Sequence, residues 1–208
     1  MKLLREITGM EKNERSEVVD KRIKKHYDVS YKDNITPEEK SHVKKFQNDS
    51  YLVNNHHWET HKKRMPTYTP PSLKSDIEET TKHMDNVINK SKTPHKLVVY
   101  SGTRHDPREI KNENNILHHP AYLSTSLSEV FASGRAKSLS GHNPNRNSHL
   151  LKIHVPKDHP GAYIPSITNE AFTNQTEREF TLPRHTNLKY IKTTKDGNTN
   201  IHHMKVVP

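Results

Sequence analysis

Around Lys92-Thr93-Pro94 the apolar spacing changes from helical to extended, and this switch constrains the fold more than any other feature of the chain. Before it, residues 1 to about 30 predict a charged helical extension. Val18, Val19 and Ile23 form one apolar stripe there, beside Lys21, Arg22, Lys24 and Lys25. Thr36-Pro37-Glu38-Glu39 reads as a helix start: Thr36 caps it, Pro37 takes the first helical position, and two acids face the positive end of the helix dipole. Val43 and Phe46 carry this helix to a break at Gln47-Asn48-Asp49. A second short helix then runs to about residue 61, with Tyr51 and Asn55 four apart and so on one face. Pro66, Pro70 and Pro71 mark a loop, and Leu73, Ile77, Met84, Val87 and Ile88 predict an amphipathic helix over residues 72–89. After the switch, strands are expected at residues 97–100, 122–124, 149–155, 161–164, 178–182, 188–193 and 202–207, with one short helix over 128–138. Helices first and strands later means α+β, with residues 1–30 as the extension and 31–208 as one domain.

Apolar residues make up 29% of the 208. They are clustered, as at 97–100 and 150–155, so the expected core is folded but lean, with long polar loops. Thirty-four lysines and arginines against 24 acids give a formal charge of +10, which favours anionic partners such as nucleic acid or a phosphate-bearing cofactor. With no cysteine there is neither disulfide nor thiolate nucleophile. No apolar run approaches the ~20 residues of a membrane span, and Met1 to Glu6 does not read as a signal peptide, so a cytoplasmic protein is expected. The 17 histidines include the pairs His56-His57, His118-His119 and His202-His203. Adjacent side chains diverge and no His-Glu-x-x-His is present, so no metal site is expected. No phosphate-binding loop or glycine-rich dinucleotide fingerprint occurs among the six glycines.

Three features fall in order on the strand-rich half: Tyr100-Ser101-Gly102-Thr103-Arg104, then Ser124-Thr125-Ser126, then Glu177-Arg178-Glu179. On an extended backbone Glu177 and Glu179 project from one face. Two like charges there repel one another unless something cationic lies beside them, which points to a site. An isolated Glu-x-Glu reads first as a solvated strand edge, and the Ser/Thr run also reads as a cap for the helix that follows.

Order and spacing together resemble the ADP-ribosyltransferase family of the arginine, Ser-Thr-Ser, Glu-x-Glu type over about residues 35–192. The opening resembles the binary-toxin and exoenzyme branch, through Ile35-Thr36-Pro37-Glu38-Glu39 and Ser50-Tyr51-Leu52-Val53-Asn54-Asn55. Size and basicity look most like the Alt and Mod enzymes of T-even-type phages. The resemblance implies two small, mostly antiparallel sheets with an N-terminal helical lobe, and NAD as substrate with no metal. It casts Glu179 as the catalytic glutamate, Glu177 as the residue that engages an arginine acceptor, and Ser124 as the serine that positions them. Thr125 and Ser126 complete that motif. Where the family has arginine in its first motif this chain has Ser101, which leaves Arg104, and Arg108 after it, as the replacement phosphate ligand. Gly102 is implied to admit NAD close to the backbone, and Tyr51 and Asn55 to line the NAD pocket. Phe131 and Arg135 are assigned there too, and Phe46 stands where the family has another aromatic. Residues 172–175 would read the protein substrate.

The expectation is therefore an NAD-dependent mono-ADP-ribosyltransferase that modifies arginine on host proteins, the transcription or translation machinery among them. It would act in the host cytoplasm or be carried in a virion, with nucleic acid as a further partner of the basic surface and no membrane partner. Two alternatives stand beside it: an NAD glycohydrolase or toxin of the same fold, and a basic nucleic-acid-binding virion protein with a degenerate site.

Overall fold

The computed structural model describes residues 14–61, 71–141, 147–168 and 178–208. Three helices come first: α1 (Glu14–Tyr31), α2 (Pro37–His61) and α3 (Pro71–Asn89). In α1, Ile23, Tyr27 and Tyr31 recur every four residues and are all buried in the common core, while Lys21, Arg22, Lys24 and Lys25 are exposed. The helix expected as an extension thus enters the core from Ile23 onward; the side chains of Val18 and Val19 lie outside the described residues.

Helix α2 opens with a reciprocal cap. The Glu39 amide donates to Thr36 Oγ1 at 3.2 Å and the Thr36 amide donates to Glu39 Oε2 at 2.8 Å, which satisfies two otherwise orphaned donors. Lys90 at the end of α3 adds a 2.6 Å ion pair to the same buried carboxylate. The break expected at Gln47-Asn48-Asp49 is a kink, with Asp49 at φ −122°, ψ 26° inside an otherwise continuous helix.

The remaining elements are β1 (Leu97–Thr103), α4 (Pro107–Ile110), β2 (Ile116–His119), β3 (Leu123–Ser126), α5 (Glu129–Leu139), β4 (Ser148–Val155), β5 (Ala162–Tyr163), α6 (Pro165–Thr168), β6 (Glu179–Leu182), β7 (Thr186–Asp196) and β8 (Thr199–Val207). They form one mixed sheet in the order β2-β7-β8-β4-β1-β3-β6-β5, antiparallel except where β4 runs parallel to β8. This corrects the expectation of two small sheets. The physical reason lies at one junction: β1 and β3 share a single paired position, Tyr100 with Ser126, and that pair joins a five-stranded part to a three-stranded part. Tyr27 packs edge-on against Phe180 of β6 at 5.9 Å and tilts against Tyr163 of β5 at 6.2 Å, so α1 supports the three-stranded part.

Candidate active site

The β1/β3 junction opens into a cleft of about 820 Å³, bounded by strands on one side and by the second half of α2 on the other. On the strand side, β3 pairs antiparallel with β6 so that Ser124 faces Thr181, Thr125 faces Phe180 and Ser126 faces Glu179. Directly opposed residues share a face, so Ser124, Ser126, Thr181 and Glu179 lie on one side of the ladder and Thr125 and Phe180 on the other. Phe180 is fully buried against Tyr27, and its burial fixes the register that turns Glu179 to the opposite face. Thr181 Oγ1, itself fully buried, donates to Glu179 Oε1 at 3.1 Å and orients the carboxylate.

The Ser-Thr-Ser hydroxyls divide their work. Ser126 Oγ accepts from the Ser128 amide at 2.9 Å, and Ser128 Oγ accepts from the Phe131 amide at 3.3 Å as the cap of α5. Thr125 Oγ1 donates to the Phe180 carbonyl and locks β3 to β6. Ser124 lines the cleft, and its carbonyl accepts from Ser101 Oγ at 2.9 Å. Ser101, expected in the place of an arginine, thus gives the sparsely paired β1/β3 junction a second tie.

Two residues beyond Gly102, Arg104 is exposed and lines the cleft, whereas Arg108 is committed to Asp106 through Nε at 3.0 Å and a terminal nitrogen at 2.5 Å. That hydrogen-bonded guanidinium holds the Asp106 carboxyl at about 2, below the usual carboxylate range. Of the two candidate replacements, only Arg104 reaches the cleft. Gly102 also lines it, but a Cβ there would stand 2.6 Å from the Ala136 amide nitrogen and 3.0 Å from the Ala132 carbonyl. Close packing of α5 on β1 is therefore reason enough for this glycine, a reason not read in the sequence.

Helix α5 contributes the half-buried Phe131 and the exposed Arg135, one turn apart. Helix α2 contributes Tyr51, which is 83% exposed, and Asn55, whose amide donates to Glu59 Oε1 at 2.8 Å. Phe46 instead belongs to the core, fully buried and edge-on to Tyr122 at 5.3 Å. Glu177 and residues 172–175 lie outside the described residues.

Sequence reasoning missed Asn54 and Trp58. Asn54 Oδ1 accepts from the Tyr122 amide at 3.1 Å and ties α2 to the start of β3. Trp58 meets His119 of β2 edge-on at 5.1 Å. Their helical spacing from Tyr51 was the available signal. Behind them, Tyr122 donates to Asp85 Oδ1 at 2.6 Å and Arg184 grips both oxygens of the same carboxylate, at 3.2 and 2.5 Å. This joins α3 to both strands of the β3/β6 pair at their Leu123/Leu182 end. Among the described residues lining the cleft, Glu179 is the sole acid, while Arg104 and Arg135 are the cations. A carboxylate at one place and two guanidiniums at others suit a ligand that develops positive charge and carries phosphates.

Residues 21–207 match the family model described as ADP-ribosyltransferase exoenzyme. Comparison with curated proteins finds no match. Among solved structures, Plx2a, an ADP-ribosyltransferase toxin from Paenibacillus larvae, superposes with a TM-score of 0.69 at 20% identity, over 93% of this chain and 97% of that one. The ADP-ribosyltransferase Vis of Vibrio splendidus, in complex with agmatine, gives 0.66 at 20% identity, over 97% and 88%. C3stau2 from S. aureus with NAD gives 0.65 at 18% identity, over 91% and 95%.

Proposed function

The chain belongs to the ADP-ribosyltransferase exoenzyme family, and we propose that it transfers ADP-ribose from NAD to arginine side chains of host-cell proteins, as a phage-encoded enzyme. The observation that carries the reading is Glu179. It is oriented by the buried Thr181, paired across the ladder with Ser126, and turned into a cleft that also holds two arginines. NAD enters as substrate. Its pyrophosphate offers paired anionic oxygens to Arg104 and Arg135, and its nicotinamide lies toward Phe131. The bond between nicotinamide and ribose C1′ breaks, nicotinamide leaves with the bonding electrons as a neutral base, and positive charge develops on the ribose. Glu179 stabilises that charge more in the transition state than in the ground state. An arginine nitrogen then bonds to C1′ and releases its proton.

Glu177, two positions before Glu179, supports the choice of arginine, because a carboxylate accepts a guanidinium bidentately and can take that proton. The solved complex of Vis with agmatine, a guanidinium compound, is consistent with such an acceptor in this fold. The test uses labelled NAD with agmatine as acceptor. The expected result is labelled agmatine from the wild type. For Glu177→Gln, the expectation is loss of that product while nicotinamide is still released. Equal labelling by Glu177→Gln and wild type would remove the arginine assignment. Nicotinamide release with no labelled acceptor in either would favour a glycohydrolase.

A further inference from the structure

We propose that Glu38, His42, Glu79 and His83 form a zinc-binding site that clasps α2 to α3, apart from the cleft. Glu38 and His42 are four apart on α2, and Glu79 and His83 four apart on α3, so each helix presents one carboxylate and one imidazole from a single face. The two helices pack side by side, and one ligand atom from each of the four residues lies within 4.8 Å of all the others. The imidazoles are already stacked, with centroids 4.2 Å apart and planes inclined by 7°.

His83 is 9% exposed, with Nε2 3.8 Å from Glu38 Oε1 and a buried Nδ1 that has no hydrogen-bond partner. The Nε2 atom that faces Glu38 stands beyond hydrogen-bond reach and is the nitrogen placed to ligate. His42 Nδ1 lies 3.2 Å from the hydroxyl of the buried Thr80, an outer contact that fixes the ring and leaves Nε2 to ligate. Two carboxylates converge here in a chain of net charge +10. Lys45, three residues on from His42, is paired with Asp76 at 3.0 Å.

Two imidazoles and two carboxylates make a four-ligand nitrogen and oxygen set of the kind zinc accepts. Tetrahedral zinc with bonds of about 2.0–2.1 Å holds its ligands about 3.4 Å apart, so a cluster spanning up to 4.8 Å must contract by up to about 1.4 Å. Glu38 and Glu79 are exposed and can swing inward to do so. The ion takes no part in the transfer reaction; it fixes the hairpin whose first helix carries Tyr51, Asn54 and Trp58.

A second cluster, Asp106, His149 and His202, does not qualify. Arg108 occupies Asp106, and the ring nitrogens of His202 are engaged by His149 at 2.9 Å and Thr193 at 2.8 Å.

The test is calorimetric titration of the full chain, without a histidine tag, with zinc chloride. Thermal unfolding and the visible spectrum of the cobalt(II) form are recorded alongside. The wild type should bind one equivalent, show tetrahedral cobalt absorption, and gain about 5 to 10 °C in Tm at zinc near 100 times Kd. His42→Gln should lose all three. Glu38→Gln/Glu79→Gln, which alters exposed side chains only and so keeps the fold, should weaken zinc binding by about 10- to 100-fold or more. His149→Gln should bind zinc as the wild type does. No saturable binding by the wild type, or undiminished binding by His42→Gln, would overturn the proposal. So would binding abolished by His149→Gln.

Discussion

The two walls of the cleft are built on different principles. The strand wall is over-determined: Glu179 sits at the end of a register fixed by Phe180 in the core, by the Thr125 and Thr181 hydroxyls, and by the β3/β6 ladder. The helical wall is α2 beyond its kink, with Tyr51 83% exposed and Asn55 bonded only to its own helix among the described contacts. Groups that must meet developing charge need placement to within about 0.5 Å, which ladders supply. Groups that grip a ligand by stacking tolerate movement, which a kinked surface helix permits.

The largest effect that would break this contrast is at Glu179. Glu179→Gln keeps shape and removes charge, and nicotinamide release should fall by about 10²- to 10³-fold with little change in Tm. A change confined to KM would place the carboxylate in binding rather than in catalysis.

Acid should come next, by attacking the supports of the helical wall. Burial pushes His57, His119 and His202 down to about 4 from an ordinary 6.5. The unfolded chain therefore takes up these protons near 6.5 while the folded chain resists until about 4. The stability they contribute is complete above about pH 6.5 and is lost progressively as pH falls toward 4. His57 bonds to Thr81 of α3 at 3.0 Å and His119 packs on Trp58, so two of the three brace α2. Thermal unfolding across this range checks the point; a flat Tm would mean that these rings take up protons at the same pH in the folded chain as in the unfolded one.

Gly102→Ala should cost about 1–3 kcal/mol by forcing α5 off β1, read as a Tm about 2–4 °C lower for each kcal/mol. Tyr51→Ala should raise KM for NAD by about 2- to 10-fold while leaving Tm and kcat near wild type, since the side chain stands in solvent. A collapse of kcat would show that the helical wall is as critical as the strand wall. Smallest, Thr36→Ala removes half of the reciprocal cap and should cost about 1 kcal/mol, read in the same melting experiment.

What was legible in the sequence follows the same division. Local chemistry was readable: the helix-to-strand switch, the Thr36 cap, the break at Asp49, and strand ends carrying Ser124 and Glu179. Long-range pairing was not. Strand β2 is four residues flanked by polar turns, and its place beside β7 depends on partners some 70 residues away; joining the sheet into one depends on Tyr100 meeting Ser126. Within the site, ten of the eleven expected residues line one cleft, and the eleventh, Glu177, lies outside the described residues. Arg104 stood ahead of Arg108 by its nearness to Ser101, and the reason Arg108 is committed elsewhere, its pairing with Asp106, was not legible. Glu38, His42, Glu79 and His83 escaped notice because helix pairing, not adjacency, brings them together.

The account rests most directly on one experiment: NAD labelled in its adenylate half, incubated with the protein and a bacterial lysate, beside the Glu179→Ala variant. Label on protein that resists mercury, yields to hydroxylamine and disappears with Glu179→Ala is the predicted result. Label undiminished in the variant, or none with the wild type, would contradict it.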